Sequence, residues 1–149
     1  MFKEKMEIKG RLDIVLYGPD GKVKEERKNV NTIPALGDAH VANRMSGASE
    51  AAMGWMAVGT GTPSATALGV ELDRNALTSK TQGTGGDDND VIYVGDWAAG
   101  DGTGAITEAG IFNLVTIGGV MLCSASFAAI NKLAADTLKI TWTVTFGST

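Results

Sequence analysis

The sequence predicts a mainly β protein: an antiparallel β-sandwich or partly open barrel of about eight strands, with one short helix. Three observations carry that expectation. In residues 138–146, Leu138, Ile140, Trp142, Val144 and Phe146 take one parity, and Lys139, Thr141, Thr143 and Thr145 take the other. Met6, Ile8, Leu12, Ile14 and Leu16 likewise alternate with Glu7, Lys9, Arg11 and Asp13. A period of two places one set of side chains in a core and the other on a half-exposed face. The 20 glycines follow no Gly-X-Y period, which excludes collagen and implies recurrent tight turns.

Taken in order, residues 1–30 read as an N-terminal hairpin. Gly18-Pro-Asp-Gly21 supplies its turn, with Pro fixing φ early and Gly accepting a positive φ late. Its second arm, Lys22 to Lys28, is charged except for Val23, as suits an edge strand whose charges block unwanted pairing. Residues 31–47 read as a short helix packed on a sheet. Asn31-Thr-Ile-Pro34 is its start, Leu36, Ala39, Val41, Ala42 and Met45 its apolar stripe, and Gly47 its stop. Gly37 weakens it by about 1 kcal/mol relative to Ala.

Residues 54–149 are expected to form the main sheet of a single 1–149 domain. Trp55-Met-Ala-Val58 is a short buried strand, Ser64 to Leu72 a connector or helical turn, and Arg74 to Lys80 a half-exposed strand. Gln82 to Asp90 is a loop, followed by a strand from Val91 to Trp97. Val120 to Phe127 is a further strand, Asn113 to Gly119 a turn region and Asn131 to Asp136 a connector. Two glycine-rich stretches stand out: Met56-Ala-Val-Gly-Thr-Gly-Thr62, and Gly102-Thr-Gly-Ala-Ile-Thr-Glu-Ala-Gly-Ile-Phe-Asn113. Glu108 sits there among apolar neighbours, so a buried carboxylate is expected to be paired. Arg74, Arg44 and the backbone amides of the glycine loops are its candidate partners.

Charge and composition narrow the chemistry. Net charge is −4, with no basic cluster beyond 22–28, which argues against phosphate-driven nucleic-acid binding. The single cysteine, Cys123, lies in an apolar run and reads as an inert buried thiol. His40, the one histidine, has no partner motif for catalysis or metal binding. Gly59-Thr-Gly-Thr-Pro63 lacks the Lys-Ser/Thr ending of a phosphate loop. The acidic loop 87–90 could ligate calcium but lacks the spacing of a calcium loop, so a solvated hairpin tip is preferred. No catalytic, cofactor-binding or metal site is assigned. The opening Met1-Phe-Lys-Glu-Lys5 has no apolar signal core, and no run reaches ~18 apolar residues. Synthesis and assembly in a cytoplasm, with no membrane partner, is the expectation.

The two glycine-rich stretches, with Ala67-Leu-Gly-Val-Glu-Leu-Asp-Arg74 and Ala135-Asp-Thr-Leu-Lys-Ile-Thr-Trp-Thr-Val-Thr145 closed by Phe146, resemble a family of tailed-bacteriophage virion proteins. Similar phrases occur near the attachment domains of phage tail fibres. The resemblance spans about residues 54 to 147 and implies a non-enzymatic structural protein with no catalytic residues. Expected partners are other phage structural proteins, such as the major capsid protein or neck and tail proteins, in a homo-oligomer for which a trimer suits both roles. A chain stopping at Thr149 is short for a fibre shaft and tip, which favours capsid decoration or a head/neck accessory over a tail-fibre or baseplate adaptor.

Overall fold

The computed structural model describes residues 6–116 and 119–148. The N-terminal stretch Met1-Phe-Lys-Glu-Lys5, the chain end at Thr149 and Ile117 of the expected turn region lie outside the described residues. The elements run β1 (Met6–Tyr17), β2 (Val23–Val30), α1 (Ala35–Met45), β3 (Trp55–Gly59), β4 (Glu71–Ala76), β5 (Ser79–Gln82), β6 (Asp90–Trp97), β7 (Gly104–Phe112), β8 (Met121–Lys132) and β9 (Thr137–Ser148). A single 3-10 turn, Gly85–Asp87, lies in the β5–β6 loop. The strands make two antiparallel sheets, a five-stranded one ordered β2-β1-β9-β6-β5 and a four-stranded one ordered β4-β3-β7-β8. The fold is a sandwich.

The N-terminal hairpin does not stand apart from the later sheet. β1 pairs with β9 along its whole length, Met6 opposite Ser148 and Tyr17 opposite Thr137. Both strands had shown the clearest alternation, and the pairing puts Leu12, Ile14 and Leu16 beside Trp142, Ile140 and Leu138 on one inward face. Across from them lie Met56, Val58, Ala109, Ile111, Leu122 and Cys123 of the other sheet. Burying each large aliphatic side chain contributes about 1.5–3 kcal/mol, so this inter-sheet layer is the main cohesive term.

The expected 74–80 strand is two strands in different sheets. Its residues 77–78 step across the sandwich edge, where the Leu77 amide donates to the Gly54 carbonyl at 2.9 Å and the Thr78 amide to that of Val94 at 2.8 Å. These seven residues read as one half-polar segment because a sheet-to-sheet crossing leaves no mark on hydrophobic alternation. β8 also runs further than expected, to Lys132.

The helix is shorter than 31–47 and lies across one end of the sandwich. Its Val41 packs on the core, and a groove of about 360 Å³ beside it is lined by Met53 and Leu122 of one layer and Tyr93 and Phe146 of the other. Gly37 is explained by contact: a Cβ there would lie 2.2 Å from the Leu122 carbonyl oxygen. The loss of helix propensity accompanies the close approach of α1 to β8. Ahead of the helix, Asn31 reaches inward over Gly10, and its Oδ1 accepts the Trp142 indole N–H at 2.9 Å.

Trp142 is fully buried and Thr141 is on the opposite face of the same strand. Trp142→Ala is expected to cost about 3–5 kcal/mol, and Thr141→Ala under about 1 kcal/mol. Urea denaturation of the two variants checks this, and equal losses would overturn the register of β9.

Candidate functional site

The two glycine-rich stretches meet on the outer face of the four-stranded sheet. Along β7 the inward side chains are Ile106, then Ala109 and Ile111, an odd step that regular pairing does not allow. The pairing with β8 slips at that point: Ile106 opposes Ile130, whereas Glu108 opposes Ser126. A bulge of this kind re-aims the side chains that follow it. Here it turns Glu108 away from the inter-sheet core, where its neighbours in sequence had seemed to place it, and under the segment 60–70.

There the carboxylate, with no exposed surface, accepts three backbone N–H bonds. Oε1 accepts from Gly61 at 3.0 Å and Val70 at 2.8 Å, and Oε2 from Gly69 at 2.7 Å. The amides expected as one alternative are the partners; Arg74 and Arg44 are not. The adjacent Thr107 hydroxyl donates to the Gly61 carbonyl at 2.7 Å. Glycine is required on steric grounds. A Cβ on Gly59 would fall 2.3 Å from Glu108 Oε1, and one on Gly69 would fall 2.3 Å from the Thr62 carbonyl. The clamped segment lays Leu68 over Ala57, Phe112 and Met121, forming a second, smaller apolar cluster outside the sheet.

Arg74 does a parallel job beside it. Its guanidinium stacks 3.8 Å from the Phe112 ring centroid and pairs with both Glu71 oxygens at 2.6 and 3.1 Å. It also donates to the carbonyls of Leu114 at 2.8 Å and Thr116 at 3.0 Å. Asn113 Oδ1 accepts the Val120 amide at 2.7 Å and closes the neck of that loop. Leu114 and Val115 of that loop are exposed to solvent.

The other sequence candidates resolve as follows. His40 is buried, with Nδ1 2.7 Å from Glu50 Oε2. Cys123 is buried, and burial pushes its thiol well above the ordinary value, so the reactive thiolate is suppressed. In the acidic loop, Asp90 accepts the Thr145 hydroxyl at 2.6 Å and Asn89 donates to the Phe146 carbonyl at 2.7 Å. These contacts tie the loop to β9. Among the described residues, no three metal-binding side chains converge.

A charge cluster at the end opposite α1 was not foreseen. Lys132 is 1% exposed and donates to the Ala98 carbonyl at 3.0 Å. Burial lowers its pKa, opposed by the carboxylates of Asp136, Asp101 and Asp73. Asp136 accepts from Lys24 Nζ at 2.8 Å and from the Leu133 amide at 2.9 Å. The Lys24 hydrogen bond, with that amide, holds the Asp136 carboxyl below its usual value. Lys24, Lys132 and Asp136 are far apart in sequence and carry no shared motif, so pattern alone had no means of joining them.

Comparison with protein-family models, curated proteins and solved structures finds no match to this chain.

Two outcomes test the cluster and the clamp. Glu108→Gln leaves one of its amide donors facing an NH2 group. It is expected to cost about 1–3 kcal/mol, and Glu108→Ala more, because three buried amides lose their acceptor. Hydrogen exchange should show lost protection at Gly61, Gly69 and Val70; retained protection would show that the carboxylate does not hold the segment. For Asp136 the folded pKa is depressed, so its stabilisation is full above the unfolded value of 3.8 and lost as pH falls through the lower folded value. The stability gap between the native chain and Lys24→Met should therefore narrow as pH drops below about 4, as read from urea midpoints.

Proposed function

We propose that this chain is a non-enzymatic structural subunit of a tailed-phage particle. In this reading it is assembled in the host cytoplasm and present in many copies as a capsid decoration or head/neck accessory protein. One observation carries the proposal. The phrases that resemble virion proteins, Met56 to Thr62, Ala67 to Arg74 and Gly102 to Asn113, converge on a single device, the Glu108 carboxylate clamped by three amides. Both carboxylate oxygens are occupied by backbone, so the shared residues act as architecture. They hold a covering segment rigidly on the outside of a sheet and leave the rest of the surface for contacts.

Repetition supplies the mechanism. A particle surface presents one binding geometry many times, and neighbouring subunits convert modest individual affinities into avidity through high local concentration. Rigid surface loops favour this, since little conformational freedom remains to be lost on docking. The exposed Leu114 and Val115, next to carbonyls held by Arg74, are suited to such a contact.

A subunit that binds only the assembled shell stabilises it by mass action. Particles lacking the protein should release their genome at lower temperature or milder osmotic stress than complete ones, and added protein should restore them. Deficient particles with unchanged shells that fail to adsorb to host cells would overturn decoration in favour of a tail-fibre or baseplate adaptor.

A further inference from the structure

Among the described residues, β2 is a long edge strand whose outer backbone is uncovered. Among the described residues, backbone hydrogen bonds to residues 23–30 come from β1 alone. The inward side chains of β2 are engaged within the chain: Asn29 donates to the Ser126 carbonyl at 2.9 Å, and Arg27 to that of Ala128 at 3.0 Å. Its outward side chains, Glu26, Lys28 and Val30, are exposed, Val30 to 75%. Among the described residues, neither Glu26 nor Lys28 makes an ion pair. β2 has 8 residues, against 4 in β5 at the other edge of the same sheet.

We propose that β2 is a self-docking edge. Two copies pair antiparallel through it about a two-fold axis at Arg27, so that Glu26 of each lies opposite the partner's Lys28. The two five-stranded sheets then become one continuous sheet. The charge pattern selects this register. In a two-fold antiparallel pair, residues on the same face must stand opposite each other, so the axis passes through a residue and shifts in whole positions. An axis at Glu26 sets Glu26 against the partner's Glu26 and Lys24 against the partner's Lys28. An axis at Lys28 sets Lys28 against the partner's Lys28. Opposite charges directly across a ladder favour pairing and like charges oppose it. Arg27, on the axis, is drawn into its own chain by Glu25 and the Ala128 carbonyl. An axis at Glu25 would set Lys24 against the partner's Glu26, but Lys24 is held by Asp136, so the edge charges favour the axis at Arg27.

The inference deepens the multi-copy reading and is tested apart from any particle. Sedimentation of the full chain should show a monomer–dimer equilibrium. Glu26→Lys should weaken association by about tenfold, since both cross-strand pairs become like-charged, and adding Lys28→Glu should restore it. In a second measurement, Glu26→Cys and Lys28→Cys chains are mixed under mild oxidation. Disulfide should form between the two variants in preference to either with itself, with buried Cys123 a bystander. A chain that stays monomeric at millimolar concentration overturns the proposal, as does a dimer indifferent to Glu26→Lys or cross-linked without preference for 26 with 28. A monomer that still protects particles overturns the edge and leaves the particle role standing. A dimer with the expected cross-link that protects nothing supports the edge and counts against the particle role.

Discussion

The outer architecture of this protein depends on a buried carboxylate meeting three backbone amides. A charge removed from water is tolerable only when its lone pairs are filled, and Glu108 has both oxygens engaged by Gly61, Gly69 and Val70. The same bonds satisfy amides of an irregular segment that has no ladder of its own. Each side of the contact therefore removes a penalty from the other. Around it the glycines at 59, 61 and 69 are fixed by contact distance, the bulge before Glu108 is fixed by direction, and Leu68 is delivered to its apolar cluster as a consequence.

The sandwich handles its sides by a related economy of donors. On one side, Arg27 and Asn29 of β2 donate side-chain N–H groups to β8 carbonyls, and Thr32 bridges to Ser124 by backbone. On the other, Asn75 donates to the Asp96 carbonyl while the chain crosses between sheets at 77–78. Side chains thus satisfy edge carbonyls that no strand reaches. This stitching uses inward positions of β2 and, among the described residues, leaves Glu26 and Lys28 without an ion pair, which separates internal closure from external contact on a single strand.

The two ends differ in character. The α1 end is closed by apolar packing and the His40–Glu50 contact, whereas the other concentrates Lys24, Lys132, Asp73, Asp101 and Asp136 around the turn before β7. A buried ammonium surrounded by carboxylates is costly to assemble and costly to break, because removing one member leaves another uncompensated. Such a cluster fixes the turn geometry from which β7 starts, and β7 carries Glu108.

What the sequence determined by itself was the β class, the inward faces of β1 and β9, the first hairpin turn and the need for Glu108 to be paired. Each follows from local pattern: period-two alternation, Pro-Gly turn chemistry, or the cost of burying a charge. The split of residues 74–80 between two sheets, the end-capping position of α1, the choice of amides over arginines for Glu108 and the Lys132 cluster were decided only in three dimensions. The helix shows why. Gly37 weakens it in isolation, yet the contact with Leu122, 85 positions later, requires that glycine. Glu108 shows it again, since a bulge that alternation does not register turns the side chain from the core to the outer face. Local pattern reports which groups must leave water; which partner receives them depends on chain crossings and bulges that only the packed sheets define.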